Sequence, residues 1–376
     1  MNRRLRMTFI ILVALGMGLG LGACAMLHQV KFGQDPSGSR LASLQASPNF
    51  RSGEFHNTLP TPTLAEGQST LRILWENLFS KTERLRPQQP LPIVRLDLRD
   101  QMVLDRDQDT VIWLGHSSFY IQLGGRRILV DPVFSDHGSP LSFANKIFPG
   151  TDLYTAADMP EIDYLIVSHD HWDHLDHATV TALMPKVKNV VCPLGVAAHF
   201  EHWGYPTEKL HEADWKSALR FQNGFTIHVT PARHYSGRGL TKNKILWAGF
   251  VLESPQHRIF LSGDTGYGPH FADIARIFDG FDLVAIDGGQ YDPRWPRIHM
   301  TPEEAVRAAE ELRAKSMMLA HVGRFSIASH PWDEPFKRVV EASKNKKFRL
   351  VTPKIGEPLR LDGMGQAFDS WWEDVK

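Results

Sequence analysis

The residues with the clearest chemical capacity are His169-Asp170-His171-Trp172-Asp173-His174. In an extended or tight loop His169 and His171 project to the same side, and Asp173 and His174 follow on the turn into the next element. Four potential ligands in six residues are too many for one mononuclear site with good geometry. They suit two metals side by side. The bland alternative is a polar, solvated loop, but chance seldom places a His-x-His-x-Asp-His run at the end of an apolar strand.

Three further polar residues follow apolar runs. His234 follows Phe225–Thr230 through Pro231-Ala232-Arg233, Asp264 follows Ile259–Leu261 through Ser262-Gly263, and His321 directly follows Met317–Ala320. An Asp after Ser-Gly is usually a turn residue. In Ser262-Gly263-Asp264-Thr265-Gly266 the flanking glycines make the backbone permissive, which suits a bridging ligand. Of the two cysteines, Cys192 ends the apolar run Val190–Cys192 and reads as a buried structural thiol, with no basic neighbour to lower its pKa.

The elements that must position these groups are strand-rich blocks alternating with helices. Val111–Leu114, Ser118–Leu123 and Arg127–Val130 are β-rich, and Gly124-Gly125 marks a hairpin between the last two. Tyr164–Val167, Asn189–Cys192, Leu246–Glu253, Arg258–Leu261 and Leu283–Ile286 read as further strands, and Asp176–Met184, Val196–Trp203, Phe271–Phe278 and Glu334–Ser343 as helices. Thr301-Pro302-Glu303-Glu304 opens another helix with a Thr cap, Pro at its first position and Glu closing a capping box; its pattern runs to about Ala314. This order argues for two sheets covered by helices outside.

Taken together the motifs resemble the metallo-β-lactamase fold, and within it the N-acyl-phosphatidylethanolamine-hydrolysing phospholipase D group. The similar stretches are Trp113–Ser118, Asp131–Asp136, His169–His174, Gly263–Gly266, Tyr291–Trp295, His299–Ala305 and Ala320–Gly323. The resemblance spans about 110 to 330 and implies a four-layer αββα sandwich. It implies one metal on His169, His171, His234 and Asp264, and a second on Asp173, His174, Asp264 and His321, with Asp264 bridging. Five imidazoles and two carboxylates without a thiolate form a nitrogen/oxygen set for two Zn²⁺, open also to Fe or Mn. Asp131 resembles an Asp that orients a ligand histidine, with a plain turn before Pro132 as the rival reading. His116 and His299 are placed near the pocket as substrate contacts. Asp264, His299 and Asp131 are the catalytic candidates. His321 rather than His299 goes to the metal because a strand fixes it, whereas His299 comes from the irregular run Pro293–Ile298. Phe200, Trp203 and Phe325 are candidates for an acyl groove, with core packing the favoured alternative.

The activity implied by the resemblance is hydrolysis of N-acyl-phosphatidylethanolamine to phosphatidic acid and N-acylethanolamine. Hydrolysis of a lactone, a β-lactam or another phosphodiester on the same metals is one rival. A non-catalytic envelope lipoprotein with a relic metal site is another, opposed by the presence of all seven ligands.

The 376 residues carry 42 Lys+Arg and 42 Asp+Glu, so zero formal net charge gives no case for a nucleic-acid partner. With 42% hydrophobic and 22% charged residues, wholesale disorder and a polytopic membrane protein are excluded. At the N-terminus, Arg3, Arg4 and Arg6 precede the apolar stretch Met7–Leu21 and then Leu21-Gly22-Ala23-Cys24. This is the layout of a secretory signal over residues 1–23. Its ending resembles the bacterial lipobox, in which Cys24 is lipidated. Ala25 in place of Asp implies the outer membrane, facing the periplasm. An uncleaved anchor is the competing reading. Residues 24–105 read as an extension packing partly on a hydrolase domain at 106–362, with 363–376 as a C-terminal tail. The partners expected are a phospholipid or other small phosphodiester and, through the lipid anchor, a membrane surface.

Overall fold

The computed structural model describes Met7, Gly22 and residues 24–79, 83–100, 102, 104–363 and 365–375. Two seven-stranded sheets carry the fold. In the extension, β1 (Phe50–Arg51) and β2 (Glu54–Phe55) pair as a small hairpin. The first large sheet contains β3 (Thr110–Trp113), β4 (Phe119–Leu123), β5 (Arg126–Val130), β6 (Ile162–Ile166), β7 (Val187–Pro193) and β8 (Leu210–Ala213). The second contains β9 (Ala218–Arg220), β10 (Thr226–Thr230), β11 (Gly249–Glu253), β12 (Arg258–Leu261), β13 (Phe281–Asp287), β14 (Ala314–Ala320) and β15 (Arg349–Leu350). β16 (Pro358–Arg360) returns to the first sheet beside β3.

The two sheets repeat one plan. β3–β5 and β10–β12 are antiparallel neighbours, and β5–β8 and β12–β15 then continue in parallel. Parallel neighbours need crossovers, and helices His177–Leu183, Ala197–His202, His270–Ile277, Pro302–Glu311 and Glu334–Ala342 supply all but the β5–β6 connection, which is a long loop with one short turn at Ala156–Asp158. Every residue of β3, β4 and β6 is buried, without alternation. Both faces of these strands are therefore covered, as a sheet between a second sheet and outer helices requires. The helix Pro302–Glu311 buries Ala305, Val306, Ala308 and Ala309 and starts from Thr301, whose hydroxyl accepts from the Glu304 N–H at 3.3 Å. The fold is the four-layer αββα sandwich.

Differences from the sequence expectation lie at element ends and in short strands. The Pro302 helix ends at Glu311 rather than near Ala314, because Arg313 turns the chain at φ +53° and Ala314 already pairs with Phe281. β8, β9, β15 and β16 carry few buried positions and so no readable pattern. The helix Gly38–Gln45 occupies a stretch whose Gln34–Ser39 start reads as a turn. At the C-terminus Trp371 and Trp372 are buried against Phe336. No helix among the described residues is long and apolar enough to cross a membrane. Most of the Arg3–Ala23 segment lies outside the described residues.

Candidate metal centre

Each chemically capable side chain stands at the carboxyl end of a strand. β6 delivers His169–His174, which turns into a helix: His174 and Leu175 donate to the His171 carbonyl at 3.1 and 2.8 Å, and Asp176 caps the helix through the Ala178 N–H. β12 leads to Asp264 through Gly263 at φ +58°, where a Cβ would stand 2.6 Å from the Ala248 carbonyl. β10 leads to His234 and β14 to His321.

The structure brings these residues into two adjoining groups. His169 Nε2, His171 Nδ1 and His234 Nε2 converge, with separations of 2.9 Å (His169 to His171) and 3.2 Å (His234 to His171). Asp264 Oδ2 lies 3.7 Å from His169 Nε2 and 3.6 Å from His234 Nε2. Beside them, Asp173 Oδ2 stands 3.1 Å from His321 Nε2 and 3.6 Å from His174 Nε2. Asp264 Oδ1 is 3.1 Å from His174 Nε2, and Oδ2 is 3.4 Å from His321 Nε2. Asp264 touches both groups.

The hydrogen bonds behind the ligands fix which nitrogen is bare. His174 Nδ1 donates to Asp131 Oδ2 at 2.8 Å, which turns its buried Nε2 toward Asp264 Oδ1 as the atom that takes either a proton or a metal. The Ser168 hydroxyl donates to Asp131 Oδ2 at 2.6 Å and can therefore accept from His169 Nδ1 at 3.0 Å, leaving His169 Nε2 bare. His234 Nδ1 donates to the Ile298 carbonyl at 3.0 Å, leaving its Nε2 bare. At His169 and His234 lone pairs thus face lone pairs and a carboxylate oxygen across 3–4 Å, an arrangement that a bound cation relieves. Nitrogens bound to one metal at about 2.0–2.1 Å stand roughly 3–4 Å apart. The residues present fit a metal centre.

The proton affinities agree. Burial pushes His169 and His234 well below the ordinary imidazole range and His171 down to about 4, so all three are neutral ligands near neutral pH. Burial opposes protonation of His174 and His321 as well, yet Asp264 and its neighbouring carboxylates overcome it. His174 rises well above the ordinary range and His321 to about 10. These two sites attract either a proton or a metal.

Asp131 sits at φ +41° and its Oδ1 accepts from the Ser168 N–H at 2.7 Å; it holds both His174 and Ser168. His299 lines the cavity over the centre, a space of about 290 Å³ also bounded by Trp172, Tyr235 and Lys242. The structure corrects His116 as a substrate contact. It is fully buried, its Nε2 lies 2.8 Å from Asp173 Oδ2, and its backbone pairs with Val322 to join the two sheets. Phe200 and Trp203 pack with each other, and buried Phe325 meets the His116 ring edge-on at 4.9 Å; none of the three lines the cavity.

Two features escaped the sequence reading. Asp287, fully buried at the end of β13, accepts from His299 Nδ1 at 2.8 Å and from the Thr265 N–H at 3.0 Å, and its other oxygen lies 3.4 Å from His321 Nδ1. An acid ending the apolar run Leu283–Ile286 was the available signal. The extension also reaches the site: Asn57 donates to the His234 carbonyl at 2.7 Å and accepts from its N–H at 3.1 Å. No local pattern marks that contact. Asp131, His116 and His321 all have positive φ, a cluster of costly backbone geometry at the centre.

This fold and this ligand constellation define a metal-dependent hydrolase class, and the chain belongs to the metallo-β-lactamase superfamily: the family model described as a beta-lactamase superfamily domain matches residues 126–322. Among its relatives, the N-acyl-phosphatidylethanolamine-hydrolyzing phospholipase D 1 of Caenorhabditis elegans is 33% identical over 264 residues, covering 65% of this chain and 74% of that one. An uncharacterized protein of Mycobacterium bovis is 36% identical over 345 residues, covering 90% and 91% of the two chains. Igni18, a metallo hydrolase from the archaeon Ignicoccus hospitalis, matches in fold with a TM-score of 0.51 at 17% identity, over 67% of this chain and 97% of that one.

Proposed function

We propose that this chain is a dinuclear phosphodiesterase of phospholipase D type. In this reading it hydrolyses N-acyl-phosphatidylethanolamine to phosphatidic acid and an N-acylethanolamine. The observation that carries the reading is that Asp264 lies within 4 Å of His169 and His234 on one side and of His174 and His321 on the other, beneath a cavity lined by His299. The likeness to the nematode phospholipase D supports the choice of substrate. His169, His171, His234 and Asp264 would hold one metal, and Asp173, His174, Asp264 and His321 the other. Two Zn²⁺ suit the nitrogen/oxygen donors, with Fe or Mn as alternatives. When bound, such a pair polarises a phosphoryl oxygen and lowers the pKa of water.

The chain's own residues do the rest. Asp131 and the Ile298 carbonyl hold the imidazoles of His174 and His234 in their ligating tautomers. Asp287 holds His299 at Nδ1, so that its other nitrogen can serve the leaving group. As water oxygen bonds to phosphorus, the water gives up a proton to the free ring nitrogen of His299, the phosphorus–oxygen bond to the ethanolamine breaks with its electron pair, and the leaving oxygen takes that proton from His299. Cys24 as a lipidated first residue would tether the enzyme to the outer membrane on the periplasmic side. The sequence Leu21-Gly22-Ala23-Cys24 after an apolar run supports this.

The test is to incubate the Zn²⁺-loaded protein with N-acyl-phosphatidylethanolamine and identify the products by mass spectrometry. N-acylethanolamine and phosphatidic acid should appear together. Turnover of lactones or β-lactams alone would replace the phospholipase reading.

A further inference from the structure

Two loops that wall the cavity carry exposed large apolar side chains at their tips. The first, residues 138–145, is closed at its base by a Gly138 N–H to Asn145 carbonyl bond of 3.0 Å. Gly138, Ser139, Pro140 and Asn145 line the cavity, while Leu141 and Phe143 stand on the tip at 36% and 76% exposure. The second loop is closed by Asn243 donating to the Ser236 carbonyl at 3.1 Å. Gly237, Gly239 and Lys242 line the cavity, and Leu240 stands 85% exposed between them.

Lys31 of the extension fixes the two loops to each other. Its ammonium donates to the Pro140 carbonyl at 2.7 Å, and its carbonyl accepts from buried Arg238 at 2.9 Å. Arg238 in turn lies over the Trp172 ring, 4.0 Å from its centre. The neighbouring Val30 is 52% exposed. The rim is thus a braced apolar edge around the mouth. Exposed side chains of this size on loop tips do nothing for the packed core and mark an interaction surface.

The chain entering this rim indicates what covers it. Leu27 lines a cavity of about 370 Å³ together with Phe32, Gly239 and Leu240. Cys24 lies three residues earlier, at most about 11 Å of chain. The stretch Met7–Leu21 immediately before it is apolar. Whether that stretch remains or an acyl chain on Cys24 replaces it, the lipid-seeking end joins the fold through Leu27, which lies beside Leu240. Exposed Lys242 on the same loop suits anionic headgroups.

We infer that the loops 138–145 and 237–242 form a bilayer-contacting rim that seats the mouth of the metal cavity on a phospholipid surface. Substrate then passes from the leaflet into the cavity without crossing water. The surface itself stands independently of the phosphodiesterase reading; only the identity of what enters rests on that reading.

The test uses the full chain in phosphatidylethanolamine/phosphatidylglycerol vesicles. Phe143→Cys, Leu240→Cys and Ile277→Cys would each carry an environment-sensitive thiol dye. Ile277 is the control, 65% exposed at the far end of the helix that runs back from the site. Unsubstituted protein is the labelling blank. Acyl-chain-brominated lipid should quench the dye at 143 and 240 and leave the dye at 277 unchanged. Equal responses at all three positions would overturn the inference. So would emission changes at 143 and 240 that follow protein concentration without lipid, since these report a second copy. Hydrolysis of bis-p-nitrophenyl phosphate, assayed separately, reports on the hydrolase reading, so the failures of the two ideas are distinguishable.

Discussion

Asp287 accepts a hydrogen bond from His299 Nδ1 at 2.8 Å while lying fully buried at the end of β13. The contact turns a loop histidine into a directed group. It also divides the labour between the two late histidines, since His321 Nε2 faces the carboxylates of Asp173 and Asp264. His299→Ala and Asp287→Asn should each slow turnover by roughly 10²–10⁴-fold, the usual loss of a general acid. His299→Ala should retain its metals, measured by elemental analysis beside steady-state kinetics. Metal loss from His299→Ala with normal loading of His321→Ala would exchange the two roles.

His321→Ala should lose roughly one metal per chain. Truncation leaves Asp173 and Asp264 on that side with His174 and, at Asp173, buried His116 as nitrogen partners. Two metals in an otherwise folded His321→Ala protein would show that another residue, with His116 the nearest imidazole, completes the group.

Asp131→Asn tests the orienting contact. It removes the charge that holds the His174 Nδ1–H and the Ser168 hydroxyl while keeping the side-chain size. Metal affinity should fall by about 10–100-fold in a competition titration with a chromophoric chelator, with little change in the far-ultraviolet circular dichroism. An unchanged affinity would reduce Asp131 to a turn residue.

These first three expectations rest on groups of unequal legibility in the sequence. The His169–His174 run and the strand-end positions of His234, Asp264 and His321 were readable because ligands after apolar strands have a local signature. Asp287 obeys the same rule but has no motif around it. The burial of His116 was not readable, because it depends on a bridge to Val322 more than 200 residues away. The Asn57 clamp on His234 depends on where an irregular segment lands, which no periodicity encodes. Short strands such as β15 and β16 were likewise invisible, since two or three half-buried residues carry no alternation.

Metal loading should release protons. His321 is raised to about 10 from 6.5 and His174 well above it, so both are protonated near neutral pH without a cation and must lose those protons on ligation. Apparent metal affinity therefore rises with pH between about 6.5 and 10 and falls as pH drops. In the metal-free protein the same raised values contribute stability that is fully present below 6.5 and lost as pH rises through about 10. Zn²⁺ calorimetry in buffers of different ionisation enthalpy reads the release directly. No buffer dependence would contradict it.

Asn57→Ala should loosen His234 by leaving its N–H and carbonyl without the amide partner, a cost of about 1–3 kcal/mol where water does not substitute. The Co²⁺-substituted variant should show an altered d–d spectrum relative to the Co²⁺-substituted wild type, and Asn57→Gln should restore it in part. A wild-type spectrum in Asn57→Ala would confine the residue to structural support.

The central claim is hydrolytic attack at phosphorus on the ethanolamine side of N-acyl-phosphatidylethanolamine. Turnover of that lipid by the metal-loaded protein in heavy-oxygen water, with mass spectrometry of both products, tests it most directly. The account predicts one heavy oxygen in phosphatidic acid and none in N-acylethanolamine. Heavy oxygen in the N-acylethanolamine, or release of diacylglycerol instead of phosphatidic acid, would contradict it.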